Sequence, residues 1–147
     1  MFQRILVPVD GSDTSRHALQ RAIDLAKEQH ARLRIVHAVD AVNFGLDTEF
    51  VLNDFIEAVR KSGRDTLAQA GAMARTAGIE AETQLLEVDT PGKHIAEVLV
   101  DDAARWQADL LVIGTHGRRG INRLLLGSIA DKVLHLATMP VLLIRSQ

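Results

Sequence analysis

The run Leu110-Leu111-Val112-Ile113, closed by Gly114, constrains this chain more than any other stretch. An unbroken apolar run of that length suits a strand covered on both faces, and such strands belong to parallel sheets with helices above and below. Thr115-His116-Gly117-Arg118-Arg119-Gly120 follows, then Leu124-Leu125-Leu126 and Gly127-Ser128. Gly114, Gly117 and Gly120 permit positive φ and let backbone N–H groups approach a ligand. Ser128 reads as the N-cap of a further helix, with Asp131 three residues on. A helix start presents unpaired N–H donors and the positive end of a dipole. Strand, glycine loop and helix start together read as an anion site for a nucleotide phosphate.

The rest of the chain repeats the strand–helix alternation. Ile5 to Val9 is a strand ended by Asp10-Gly11-Ser12, and Ser12 or Asp13 caps a helix whose buried face is Ala18, Leu19, Ala22, Ile23 and Ala26. Leu33 to Val39 is the second strand. A loop near residues 40–47 leads into a long helix reaching about Ala77, with Leu52, Phe55, Ile56, Val59, Gly63, Leu67, Ala70 and Ala74 as its seam and Gly78 as its stop. On that seam Gly63 permits close approach to a sheet. Ile79 to Val88 alternates, Glu80, Glu82 and Gln84 against Ala81, Thr83 and Leu85, as a half-solvated edge strand does. Thr90-Pro91 suggests an N-cap and first helical residue ahead of Ile95, Val98, Leu99 and Ala103. Ile129, Val133, Leu134 and Ala137 form the last helix face, and Pro140 precedes the last strand. The expected fold is α/β: one doubly wound domain over 1–147, with a parallel sheet and helices on both faces. Ligands of such sheets bind past the carboxyl ends of the strands, where the strand order reverses. Asp10 and Gly114 both stand at strand ends of that kind.

Composition narrows the function. No cysteine is present, which excludes a disulfide framework, a thiol nucleophile and a thiolate metal site. A net charge of -2 gives no sign of a nucleic-acid partner. No apolar run approaches the roughly 20 residues that span a bilayer, and Met1-Phe2-Gln3-Arg4 enters a strand without a secretory leader. A cytoplasmic protein without membrane or nucleic-acid partners is expected.

Gly114, two residues, Gly117, nine residues, then Gly127-Ser128 resembles the ATP-binding signature of the universal stress protein family. Ile5-Leu6-Val7-Pro8-Val9-Asp10-Gly11-Ser12 is similar to that family's opening strand and loop, and Met139-Pro140-Val141-Leu142-Leu143-Ile144 to its closing strand. The resemblance implies a five-stranded sheet of order 3-2-1-4-5, which puts the loops after the first and fourth strands side by side. It implies ATP with Mg²⁺ as the ligand. The phosphates then fall to the segment Ile113, Gly114, Thr115, His116, Gly117 and Arg118 and to Gly127, Ser128 and Ile129. Thr115 and His116 would serve chiefly through backbone donors. Arg118 is a candidate for neutralising phosphate, whereas Arg119 and Arg123 read as solvated. On residues alone, Asp10 is evenly balanced between ligand carboxylate and turn-capping residue; the resemblance favours the ligand role, toward ribose or a nucleotide-bound metal. Pro8 and Val9 flank it, and the backbone of Ala38 or Val39 matches the family's adenine contact. The resemblance also implies a homodimer formed by pairing of Val141, Leu142, Leu143 and Ile144 with the same strand of a second copy, which would cover an apolar edge without charged residues.

Three rival chemistries are weaker. His116, Ser128 and Asp10 suggest a hydrolase triad, but no G-x-S-x-G elbow is present. The six histidines show no metal-ligand spacing. No Gly-Lys-Ser/Thr follows the glycines, so no P-loop lysine is available for a transferring phosphoryl group. The leading expectation is a nucleotide-dependent switch in the stress response without fast hydrolysis. The alternatives are a slow ATPase or autophosphorylating protein, with Ser128 or Thr115 as acceptor, and a nucleotide-independent protein-binding or chaperone-like dimer.

Overall fold

The computed structural model describes residues 1–43, 49–116 and 126–145, with backbone only at 49–52. Strands β1 (Arg4–Pro8), β2 (Arg32–Asp40), β3 (Glu82–Val88), β4 (Leu110–Gly114) and β5 (Val141–Ile144) alternate with helices α1 (Asp13–Gln29), α2 (Glu49–Thr76), α3 (Ile95–Trp106) and α4 (Ser128–Leu136). The five strands are parallel, in the order β3-β2-β1-β4-β5. The order reverses between β1 and β4, so the loops that follow those two strands are neighbours. That is the implied order.

Two apolar layers explain the sheet. Ile5, Val7, Leu33, Ile35, Leu110 and Val112 face one layer with α1 and the second half of α2. Leu6, Val36, Leu86, Val88, Leu111 and Ile113 face the other with α3 and α4. Adjacent residues therefore serve opposite layers, as the period of two requires. Withdrawing each large apolar side chain from water contributes about 1.5–3 kcal/mol, and the three central strands do this on both faces. Gly63 plays the packing role its seam position suggests: a β-carbon there would lie 2.7 Å from His37 Cδ2 and 2.8 Å from Leu85 Cδ1.

Several local expectations are corrected. Thr90-Pro91 does not start α3. Lys93 N–H donates to the Thr90 carbonyl at 3.1 Å in a turn with Gly92 at φ 85°, and α3 begins after His94, whose N–H donates to Glu97 Oε1 at 3.2 Å. Ser128 is the first helical residue of α4 and its cap is Gly127. The reason is tertiary: Gly127 N–H donates to the Thr115 carbonyl at 2.6 Å, and a β-carbon there would lie 2.8 Å from that same oxygen. Strand β3 begins at Glu82, because Ile79 closes the end of α2 by donating to the Ala74 carbonyl at 2.9 Å. The better-buried face of its second half is Leu86 and Val88, against α3. Phe55 is exposed and Ile56 and Val59 are half-buried, so the α2 seam is buried only from Gly63 onward; the Leu52 side chain lies outside the described residues. In α4, Ala130 and Val133 are buried, but Ile129 and Leu134 are 40% and 41% exposed.

Candidate functional site

Three segments converge beyond the carboxyl ends of β1, β2 and β4. The first is the turn from Val9 to Ser15. Gly11 takes φ 83°, the left-handed region that suits glycine. Asp10 Oδ1 accepts the Ser12 N–H at 2.9 Å, and Asp10 N–H donates to Ser15 Oγ at 3.2 Å. Ser12 Oγ in turn accepts the Ser15 N–H at 3.2 Å, capping α1 as expected. Asp10 is half-buried and spends one oxygen on its own turn; among the described residues no hydrogen bond falls on Oδ2. Both readings of Asp10 thus find a feature here, a turn bond on one oxygen and an acceptor left over on the other.

The second segment is the end of β4. A β-carbon on Gly114 would lie 2.6 Å from Thr14 Cγ2 and 3.3 Å from the Thr14 carbonyl oxygen. Gly114 thereby lets the first turn of α1 sit against β4, and it does so without positive φ, which among the described glycines belongs to Gly11, Gly78 and Gly92. The Thr115 N–H donates to the Ile144 carbonyl at 2.9 Å, so it is taken by β5 and is not a donor for a ligand. His116 contributes through its ring: Nδ1 lies 3.1 Å from Thr115 Oγ1, while Nε2 is buried with no hydrogen-bond partner among the described residues. A buried ring nitrogen left unpaired costs about 1–3 kcal/mol. Gly117, Arg118, Arg119, Gly120 and Arg123 lie outside the described residues.

The third segment is the start of α4. Gly127 is held against Thr115, and Ser128 and Ile129 are exposed. The amides of Ser128, Ile129 and Ala130 open the helix, where an α-helix supplies no internal acceptor. Beside these, β2 ends in Ala38, half-buried, and Val39, buried, and Pro8 and Val9 close β1, with Val9 N–H donating to the Val36 carbonyl at 2.8 Å.

The structure thus brings Pro8, Val9, Asp10, Ala38, Val39, Ile113, Gly114, Thr115, His116, Gly127, Ser128 and Ile129 to one end of the sheet. It does not join a triad: Asp10 bonds within its turn and His116 bonds to Thr115. Among the described residues no group of three or more His, Asp or Glu side chains is placed to hold a metal ion. Four contributors escaped the sequence reading. Thr14 and Ser15 brace the turn, and the Ser12-x-x-Ser15 spacing was their signal. His37 Nδ1 lies 2.6 Å from the Val9 carbonyl oxygen, with nothing in the sequence to mark it. Asn43 ties the loop after β2 to the turn after β3, donating to Asp40 Oδ2 at 2.9 Å and the Lys93 carbonyl at 3.2 Å while accepting the Gly92 N–H at 3.0 Å. Burial alone would raise the Asp40 pKa, but the donors of Asn43 and Val42 and the nearby His94 outweigh it and hold the carboxyl below its ordinary range.

Comparison with known proteins gives one answer. The profile of the universal stress protein family matches residues 1–145. Universal stress protein MJ0531 of Methanocaldococcus jannaschii is 36% identical over 146 residues, covering 99% of this chain and 83% of that protein. The universal stress protein of Archaeoglobus fulgidus in complex with dAMP is 30% identical, with a TM-score of 0.70 over 98% of each chain. A universal stress protein in complex with cAMP is 29% identical, with a TM-score of 0.73 over 99% of each chain.

Proposed function

The chain belongs to the universal stress protein family, and from that membership we propose that it is an ATP-binding member acting as a nucleotide-dependent switch in the stress response, without fast hydrolysis. One observation carries the reading: the amides of Ser128, Ile129 and Ala130 open α4 without an internal acceptor at the carboxyl end of the sheet, beside a buried His116 Nε2 that has no hydrogen-bond partner among the described residues. The open amides lack what a phosphate supplies, namely oxygens that accept hydrogen bonds. The relatives solved with dAMP and with cAMP support an adenine nucleotide as the ligand class.

The roles follow from the chemistry of each group. The amides of Ser128, Ile129 and Ala130 hold phosphate oxygens at the positive end of the α4 dipole. Asp10 Oδ2 accepts from a ribose hydroxyl or from water around Mg²⁺. Val9, Ala38 and Val39 flank the base, and His116 Nε2 contributes a further polar contact. Gly117 and Arg118 complete the loop in this proposal. Mg²⁺, when bound with ATP, would neutralise phosphate charge. Between Gly114 and Ser128 there is no lysine to stabilise a transferring γ-phosphoryl group, so occupancy rather than turnover is the signal. The protein is proposed to work in the cytoplasm as a homodimer joined through β5.

The test is to denature freshly purified protein and identify the released nucleotide by chromatography and mass spectrometry, then titrate the emptied protein with Mg-ATP, dAMP and cAMP by calorimetry. Released ATP, with tighter binding of ATP than of either monophosphate, supports the switch. Tighter binding of cAMP or dAMP redirects the reading to a mononucleotide sensor. Phosphate release from Mg-ATP that Asp10→Ala abolishes would favour the slow ATPase. No release and no binding sinks the nucleotide reading and leaves a protein-binding dimer.

A further inference from the structure

Val9 is held by β2 on both of its polar groups although the β1 ladder has ended. The last registered pair is Pro8 with Val36, and the Val9 N–H still reaches the Val36 carbonyl at 2.8 Å. In a continuing parallel ladder a backbone N–H of β2 would take the Val9 carbonyl. Here the ring of His37 takes it, Nδ1 lying 2.6 Å from the oxygen. A carbonyl only accepts, so Nδ1 carries the proton and the tautomer is fixed.

The ring is seated from the other side by α2. Gly63 faces the cross-strand neighbours His37 and Leu85, and a β-carbon there would lie 2.7 Å from His37 Cδ2 and 3.3 Å from His37 Nε2. Any larger residue at Gly63 displaces the ring or the helix. A continuous set of contacts therefore runs from α2 through Gly63 and His37 to the Val9 carbonyl, and from there into the turn that carries Asp10.

The geometry points to His37 as the positioning residue of the Asp10 turn: its ring, seated by Gly63, holds the Val9 carbonyl and so orders the turn before any ligand arrives. This rests on the reading of that turn as part of a nucleotide site. A turn ordered in the free protein spares the ligand the cost of ordering it, which appears as affinity. His37 touches no ligand in this account. It acts through Val9.

The variants are His37→Phe, His37→Asn, Gly63→Ala and, as a control, Leu33→Ala, which loses buried side-chain packing at the other end of β2. The first measurement needs no ligand: amide hydrogen exchange at Asp10, Ser12 and Ser15, the hydrogen-bonded amides of the turn, in the free protein. His37→Phe and Gly63→Ala are expected to speed exchange there about tenfold, the weight of one lost hydrogen bond. Asn at 37 keeps a donor at the Nδ1 position and restores protection, and Leu33→Ala leaves the turn unchanged. The second measurement is nucleotide affinity well below each variant's melting temperature. It is expected to fall about tenfold in His37→Phe and to return in His37→Asn. In a His37→Ala background, Gly63→Ala is expected to weaken binding no further, because the ring it displaces is gone. Unchanged exchange in His37→Phe, or equal loss in Leu33→Ala, overturns the inference. Altered exchange in a protein that binds no nucleotide leaves the positioning role standing and removes the proposed function instead.

Discussion

A β-carbon on Gly127 would stand 2.8 Å from a backbone oxygen, that of Thr115, whereas one on Gly114 would stand 2.6 Å from a methyl, Thr14 Cγ2. The two differ in what can yield. Backbone at Thr115 is tied to β5 through Ile144 and to α4 through Gly127, so Gly127→Ala must shift a loop. It is expected to destabilise the protein by about 1–3 kcal/mol, the ordinary cost of overpacking, and to weaken nucleotide binding by more than its melting temperature implies. Gly114→Ala is expected to be relieved by Thr14→Ser, which removes the methyl; chemical denaturation of the single and double variants checks this. His116 separates stability from function. Replacing both members of the Thr115–His116 pair by apolar residues, Thr115→Val with His116→Leu, removes a buried nitrogen that has no partner among the described residues, together with the group that held the ring. Stability of the free protein is expected to stay within about 1 kcal/mol or rise, while nucleotide affinity falls. Loss of stability without loss of affinity would assign His116 to the fold instead. Asp10 was legible as a turn residue, and Gly114 and Gly127 as positions that need glycine, Gly114 for its close approach to Thr14 and not for the positive φ expected of it. His37 was not, since a histidine in an apolar strand carries no local mark of the carbonyl it will meet.

The elements show where legibility ends. Unbroken apolar runs located β1 and β4, a segment rich in Ile35, Val36 and Val39 located β2, and helical spacing located α1 and α3, because each buries a face against the sheet. Helix starts failed where a tertiary contact outweighed local preference, as when the Thr115 carbonyl made Gly127 the cap of α4 ahead of Ser128. The apolar positions of α4 failed in a related way, since among the described residues Ile129 and Leu134 are left 40% and 41% exposed. The amino ends of the strands hold a polar clamp that patterning could not reveal. Arg34 on β2 donates through Nε and Nη2 to Asp102 of α3 at 2.9 and 3.0 Å, with side chains 15% and 8% exposed. The Asp102 hydrogen bonds raise the Arg34 pKa despite burial, so the guanidinium keeps its charge. Removing one partner leaves a buried charge, and Arg34→Met is expected to cost about 3 kcal/mol, most of it recovered by adding Asp102→Leu. Nucleotide affinity should not change in either, because the clamp lies at the far end of the sheet. Glu82 on β3 joins the same clamp. Burial opposes its ionisation, but Arg32, the Trp106 indole N–H and Arg34 prevail and set its pKa below the ordinary value. A folded pKa below the unfolded one gives stability that is present above about pH 4.3 and lost as pH falls through the folded value. Glu82→Gln is therefore expected to flatten the acid limb of the unfolding curve and leave neutral pH less stable.

At the scale of the whole molecule, the two sheet edges are unlike. Strand β3 exposes Thr83, Gln84 and Glu87, polar side chains that discourage pairing. Strand β5 is Val141-Leu142-Leu143-Ile144 without a charge, and Leu142 is 37% exposed. Beside it α4 leaves Leu134 and Leu136 at 41% and 43% exposed. The Pro140 and Ile144 carbonyls accept from β4, so alternation turns the N–H and C=O groups of Val141 and Leu143 outward, toward whatever lies past the edge. A second copy related by a two-fold axis would supply the same outward groups in the antiparallel sense and cover the same leucines, which is the reason to expect a dimer at β5. Leu143→Pro removes an outward donor while sparing the bonds to β4, and Leu142→Lys adds a charge to the edge. Both are expected to shift the proposed dimer to a single chain in sedimentation at micromolar concentration, with nucleotide binding unaffected, because the proposed site lies across the carboxyl ends of β1, β2 and β4. If the wild-type protein itself sediments as a single chain, the β5 edge is covered by something other than its own copy. Loss of binding together with dimerisation would mean that the tie from Ile144 to Thr115 carries assembly into the glycine loop.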